Sequence, residues 1–262
     1  LYRLESNDVW FSLIVGVFDA TIAQLKTDVI IVGGGASGTM AAIQASRLGV
    51  KSIVLEETTW LGGMLTSAGV AAIDGNHNMP SGLWGEFRGH LYGYYGGPKE
   101  VETGWVSNTL FEPQVGNQIL KKMVAAEPNI KVLHETIWKS AEKKTNGWSI
   151  SYVDASNKLQ TVEGKVLIDA TELGDVMASL KVPYYLGMDS KELTKEPFAL
   201  DHANDIVQDL TYVITLRDFG PKANKTIKKP KNYTKEEFAG CCDVSDPATF
   251  NQDNNDCFKM LT

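Results

Sequence analysis

Residues 28–38 read Asp28-Val29-Ile30-Ile31-Val32-Gly33-Gly34-Gly35-Ala36-Ser37-Gly38. The short, unbroken apolar run at the start suits a strand buried on both faces. Glycines at 33, 35 and 38 then fall where that strand gives way to a helix, and this context is what makes their spacing informative. Gly33 permits a tight turn, Gly35 lets backbone approach a diphosphate, and Gly38 lets helix and strand pack closely. Ala36 and Ser37 lie in the same turn. Beyond them the helix start offers unpaired N–H groups and a positive dipole end.

Working outward, residues 39–48 predict a helix with Ala41, Ala42 and Ala45 on its inner side, and Gly49 ends it. Residues 51–55 predict the next strand, completing a βαβ unit with the right-handed crossover. Glu56 ends that strand 18 residues after Gly38, where a carboxylate can accept hydrogen bonds from an adenosine ribose and repel a 2′-phosphate. Dinucleotide binding, with NADP disfavoured, is the expectation. Glu57 follows directly, and then Leu61-Gly62-Gly63-Met64. A second glycine pair here lets backbone run beside a diphosphate, although taken alone it also reads as a loop turn.

Further along, 58–80 reads as loop with short elements. Leu83, Trp84, Phe87, Leu91 and Tyr94 recur at helical spacing. A second helix begins near Pro113, with a stripe of Val115, Ile119, Leu120, Met123 and Val124. Residues 130–133 return to strand. Segments 136–138, 148–152 and 158–162 predict a small antiparallel meander, separated by Asn146-Gly147 and Ser156-Asn157. Residues 166–170 predict another buried strand, leading through Ala170-Thr171 into Glu172-Leu173-Gly174-Asp175. Past Lys181 only 210–216 reads as a strand.

Composition narrows the classes. Apolar residues make up 43%, charged residues 22%, and the formal net charge is -7, so the clustered Lys/Arg of a nucleic-acid partner is missing. Cys241, Cys242 and Cys257 form neither a disulfide framework nor a zinc motif. They read as ordinary thiols, with one bridge to Cys257 open if the protein is exported. No metal site is expected. The apolar run at 10–18 is too short to span a bilayer, which takes about 20 residues. It has the length of a secretory signal core, with Thr21-Ile22-Ala23 as a cleavage site. Leu1 at the start, the lack of net positive charge before the run, and Asp19 argue instead for a hydrophobic extension.

The order of motifs resembles the FAD domain of glutathione-reductase-type flavoproteins. More narrowly, residues 28–38, Trp60-Leu61-Gly62-Gly63-Met64-Leu65 and Asp169-Ala170-Thr171-Glu172-Leu173-Gly174-Asp175 resemble the bacterial FAD-dependent oxidoreductase family, some members of which bear a xanthan-lyase name. The resemblance covers about 27–220. It implies that FAD is the cofactor, and that Gly33, Gly35, Gly38 and Glu56 hold its ADP part. It also implies that Gly62, Gly63 and Met64 run along diphosphate and flavin, with Ala170 and Thr171 nearby and Ile137 meeting the adenine through its backbone. The family's usual Ala-Thr-Gly turn reads Ala-Thr-Glu here, placing Glu172 near the cofactor without a role. Such flavoproteins return late in the chain to complete the flavin contacts; none of that is read before Thr262, so a fragment is expected.

The expected architecture is α/β: a Rossmann-like FAD-binding domain over 27–180, with a parallel sheet, a β-meander and an insert at about 64–112. A signal-like extension covers 1–26, and the start of a substrate or cap region covers 181–262. The residues name no catalytic base. His77, after the Gly-Gly loop, and His202 are the candidates, but each, like His90, reads as structural or solvent-exposed before it reads as catalytic. Trp84, Tyr92, Tyr94 and Tyr95 read as core or as lining for a sugar-like substrate. The function expected is flavin-mediated hydride transfer on a small, carbohydrate-derived substrate. The alternatives are a nucleotide-binding or carbohydrate-handling module with structural FAD, and an NAD-dependent dehydrogenase. The periplasm or exterior is the expected location, otherwise the cytoplasm; no stable membrane span is read, and oligomeric state is open.

Overall fold

A computed structural model describes residues 25–75, 77–102, 107–208, 213, 219–225 and 228–234. The run at 10–18, the site at 21–23, the strand at 210–216 (Val213 apart) and all three cysteines lie outside them.

Strand β1 (Leu25–Val32) forms the centre of the sheet because both its faces are apolar. Ile30 and Val32 point into one cluster, Val29 and Ile31 into another, and Ile30 and Ile31 are fully buried. Helix α1 (Ala36–Arg47) returns the chain through Leu48 to Gly49, whose φ of 77° lets the helix end in a left-handed turn. Strand β2 (Ser52–Leu55) then runs parallel to β1, with Ile30 opposite Ile53 and Val32 opposite Leu55. Strand β3 (Ile130–Leu133) adds on the far side of β2, also parallel.

Between β2 and β3 the chain builds α2 (Gly82–Tyr95) and α3 (Pro113–Ala125). Proline at the first position of α3 loses no helical hydrogen bond. Val115, Ile119, Leu120 and Met123 are buried against Ile43, Leu61, Phe87 and Leu91, and the Phe87 and Phe111 rings meet edge-on at 5.6 Å. Each such side chain contributes about 1.5–3 kcal/mol on burial. Arg47 links the layer: two nitrogens donate to Glu86 on α2 and the third to Glu127 after α3, all at 2.8 Å.

After β3 come β4 (Ile137–Lys144), β5 (Gly147–Val153) and β6 (Leu159–Asp169), giving the sheet order β3-β2-β1-β6-β5-β4. Strand β6 is parallel to β1 along Val162–Asp169 and antiparallel to β5 along Leu159–Gly164, which joins meander to parallel sheet. Two short helices follow, α4 (Asp175–Ser179) and α5 (Lys191–Thr194). Among the described residues no helix is long and apolar enough to cross a membrane.

Several expectations need correction. The strands read at 158–162 and 166–170 are one strand. Gly164 and Lys165 break the apolar pattern, yet Gly164 is needed, since a Cβ there would press on Ile30 at 2.6 Å. Its last stretch is not fully buried either; Val166 is half exposed, because β5 begins only at Gly147, opposite the earlier part. Strand β4 runs well past Trp138, through charged residues that suit an outer strand facing solvent. Helix α1 starts at Ala36 rather than Thr39, and its inner face is Gly38, Thr39, Ala42, Ile43 and Ser46, with Ala41 and Ala45 only half-buried. Tyr94 is exposed rather than core, packing edge-on to Tyr95.

Candidate functional site

Parallel β1, β2 and β6 all finish at one edge of the sheet, so the loops after Val32, Leu55 and Asp169 converge there. In open α/β sheets this carboxyl edge, where connections diverge, is where a crevice forms. A cavity of about 300 Å³ opens at this point.

The first loop is held from behind. Gly33 has φ 100° and lies so close to the Ala170 carbonyl that any Cβ would collide with it. Gly38 lies against the Gly33 carbonyl and the Ala170 methyl, again leaving no room for a side chain. Thr39 donates its hydroxyl to the Gly34 carbonyl at 2.9 Å. The second loop is laid against the first: Gly62 N–H donates to the Gly34 carbonyl at 2.9 Å, and Gly35 and Gly62 form a parallel bridge. Behind it, Asn117 accepts from Leu61 N–H, and Thr66 donates to the Leu61 carbonyl at 2.6 Å.

Glu56 is buried, and its carboxylate serves both strands' ends. One oxygen accepts from Gly34 N–H at 2.7 Å; the other accepts from Thr58 N–H at 2.7 Å and the Thr58 hydroxyl at 2.6 Å. The third loop is shaped by Asp169, which accepts from the N–H and hydroxyl of Thr171 and from Met177 N–H.

Of the residues marked by the sequence, Gly33, Gly35, Glu56, Glu57, Gly63, Met64, Ile137, Ala170 and Thr171 line the cavity. Ala36, Ser37 and Gly38 form the start of α1 beside it. Gly62 does not line it; the space a side chain would need there is filled by Leu120 and Thr66. Met64 and Ile137 are half exposed, offering apolar wall. Thr58, Ser67, Ala68, Thr136, Trp138, Glu172 and Asp175 also line the cavity and were not marked as contacts, although Glu172 was placed near it. The supporting roles of Asp169, Thr39, Thr66 and Asn117 were missed too. Only Asp169-x-Thr171 carried a local signal, as an Asx turn.

The histidine candidates stand elsewhere. His77 and His202 are exposed and neither lines the cavity. The His77 ring meets the Asn108 amide at 3.2 Å, and its carbonyl accepts from Arg88. Trp84 and Tyr92 face the buried Arg88 guanidinium, at 4.7 and 5.9 Å, rather than the cavity.

Electrostatically the cavity is one-sided. Glu56, Glu57, Glu172 and Asp175 line it, and no Lys or Arg does so among the described residues. Positive potential comes from backbone: no side chain caps α1, and no acidic residue occupies its first turn.

The sequence model of a family described as FAD dependent oxidoreductase matches residues 28–260. The chain belongs to that family. As an FAD dependent oxidoreductase by family, it has FAD as its cofactor. Individual proteins match more narrowly. The chain is 31% identical over 67 residues to the thiamine thiazole synthase of Aeropyrum pernix, a match covering 26% of this chain and 25% of that protein. Among solved structures it is similar to L-proline dehydrogenase from P. horikoshii (20% identity, TM-score 0.36, 56% of this chain and 23% of that one). It is also similar to a flavoprotein/dehydrogenase from Cytophaga hutchinsonii (15% identity, TM-score 0.45, 60% and 42%). The matches thus take in less than half the length of each of these proteins.

Proposed function

We propose that the chain supplies the FAD-binding part of an oxidoreductase that acts on a small organic molecule. The observation that carries this reading is the double glycine cradle. Gly35 and Gly63 lie side by side at the cavity wall, their bare backbone covered only by the exposed Glu172 side chain, with the uncapped start of α1 next to them. Backbone N–H groups at such a helix start suit a diphosphate. Glu56 at the end of β2 suits a ribose hydroxyl, since its three protein donors leave a carboxylate lone pair free. Ile137 and Thr136 would border the adenine, and Met64, Ala170 and Thr171 the flavin side. The residues therefore fit the family's cofactor.

When bound, FAD supplies the redox chemistry by taking or returning a hydride equivalent. The chain's own residues bind and orient it: Gly33 and Gly38 shape the turn, Glu56 holds loop and ribose together, and the apolar walls exclude water. A sugar-like substrate draws no support from Trp84 and Tyr92, which are committed to Arg88. The substrate class proposed is therefore a small organic molecule, with carbohydrate one member of it.

The test is an absorption spectrum of chain 1–262 after incubation with FAD and desalting. Retained flavin bands that disappear in Gly35→Val support the reading. A colourless protein that stays colourless when expressed in the context of its full gene overturns it. Bound flavin that no reductant class reduces would leave FAD with a structural role.

A further inference from the structure

We infer that Glu172 is an internal anion occupying the diphosphate seat, so that cofactor entry requires its carboxylate to swing out and its charge lowers affinity for any diphosphate. This rests on the FAD reading above.

The placement is geometric. A Cβ built on Gly63 would collide with a Glu172 carboxylate oxygen, and one on Gly35 would lie 2.9 Å from the same oxygen. The two glycine backbones nearly touch, a Gly63 Cβ lying 3.0 Å from the Gly35 Cα. One carboxylate oxygen therefore rests over the junction of the two loops, on the surface where backbone is most bare. That surface adjoins the positive end of α1, and the helix has no side-chain cap of its own. The carboxylate thus sits in favourable potential without a hydrogen bond to the first turn, and its side chain is exposed and able to rotate.

A diphosphate cannot share that position. It would bring negative charge into contact with Glu172 in a cavity already lined by Glu56, Glu57 and Asp175 and by no Lys or Arg among the described residues. Like charges at contact distance repel even where water screens them. Glu172 must leave the seat, and afterwards its charge still lies within a Debye length of the phosphates. The residue sits on a short loop fixed by Asp169 and Thr171 at one end and Asp175 at the other, so the side chain, not the loop, is the part that moves.

The experiment titrates FAD, by quenching of flavin fluorescence, into the wild-type chain, Glu172→Gln and Glu172→Ala, with a thermal melt of each without ligand. Glu172→Gln keeps the shape and removes the charge. Both variants are expected to bind FAD about fivefold or more tightly at low ionic strength. The gain should shrink at about 0.5 M salt, where charges are screened within a few ångströms. The ligand-free variants should melt slightly lower than wild type, having lost an anion at the start of α1. Equal or weaker binding in both variants overturns the inference while leaving the FAD reading intact. A gain in Glu172→Ala alone also overturns it, since bulk rather than charge would be the obstacle. Failure of all three proteins to bind FAD overturns this inference, and the absorption test described above then decides the cofactor reading separately.

Discussion

Glu56 and Gly38 act on neighbouring backbone in opposite ways, one by supplying an acceptor and the other by supplying nothing. Glu56→Ala strips the acceptor from the buried Gly34 N–H and from Thr58. An unsatisfied buried donor costs about 1–3 kcal/mol, so a lowered melting temperature is expected even without FAD, together with weaker FAD binding. Gly38→Ala drives a methyl into the Gly33 carbonyl; overpacking of this kind costs about 1–3 kcal/mol. Flavin retention after desalting should be lost as well, because the turn that carries Gly35 must shift. Gly49→Ala is the contrasting control. It has open space but φ of 77°, and a cost of about 1 kcal/mol with flavin binding unchanged is expected from calorimetry. At this scale much of the site was legible: Gly33, Gly35, Gly38 and Glu56 announce themselves by spacing. Asn117 and Thr66 did not, since they reach Leu61 from 56 and 5 positions away through side-chain bonds that no periodicity encodes.

The helical layer is joined by polar contacts between elements, and two respond to pH. Arg47 holds the Glu86 carboxyl below its ordinary range, chiefly through the side-chain hydrogen bond. A depressed carboxyl contributes stability above its unfolded pKa and loses it as pH falls through the folded one. Arg47→Met is therefore expected to cost about 1 kcal/mol at neutral pH, a partly exposed network being worth little more. Denaturant melts should show the gap to wild type closing as pH drops below the usual carboxylate range. Between α2 and α3, the Tyr95 hydroxyl donates to Glu112 at 2.9 Å and accepts from Glu112 N–H at 2.8 Å. Burial pushes its pKa up to about 12. A raised value means that the unfolded chain ionises first, so this contribution is present below about pH 10 and is lost as pH rises toward 12. Alkaline spectrophotometric titration should show a late-ionising tyrosine that Tyr95→Phe removes, while Tyr152, also raised by burial, stays. Element identity was largely readable, as the α3 stripe shows. Extent was not: β6 looked like two strands because Gly164 reads as a breaker locally, while Ile30 on the neighbouring strand requires it.

At the level of the whole molecule, the order β3-β2-β1-β6-β5-β4 puts three strand ends at one edge and thereby assembles a site from segments more than 100 residues apart. A ligand that binds only this assembled edge must stabilise the whole fold. FAD at 100 times its Kd is expected to add about 2.7 kcal/mol, read as a rise in melting temperature that disappears in Gly35→Val. The βαβ start, the glycine turn beside the cavity and the α3 face are written in the sequence, because each depends on residues close in the chain whose spacing matches a backbone geometry. Only the tertiary structure decided that Gly62 faces Leu120 and Thr66 while Gly63 faces the cavity, that His77 and His202 stand outside it, and that Glu172 lies over the two glycines. Those outcomes depend on which surfaces of distant segments meet, and a one-dimensional pattern holds no record of the direction from which a neighbour arrives.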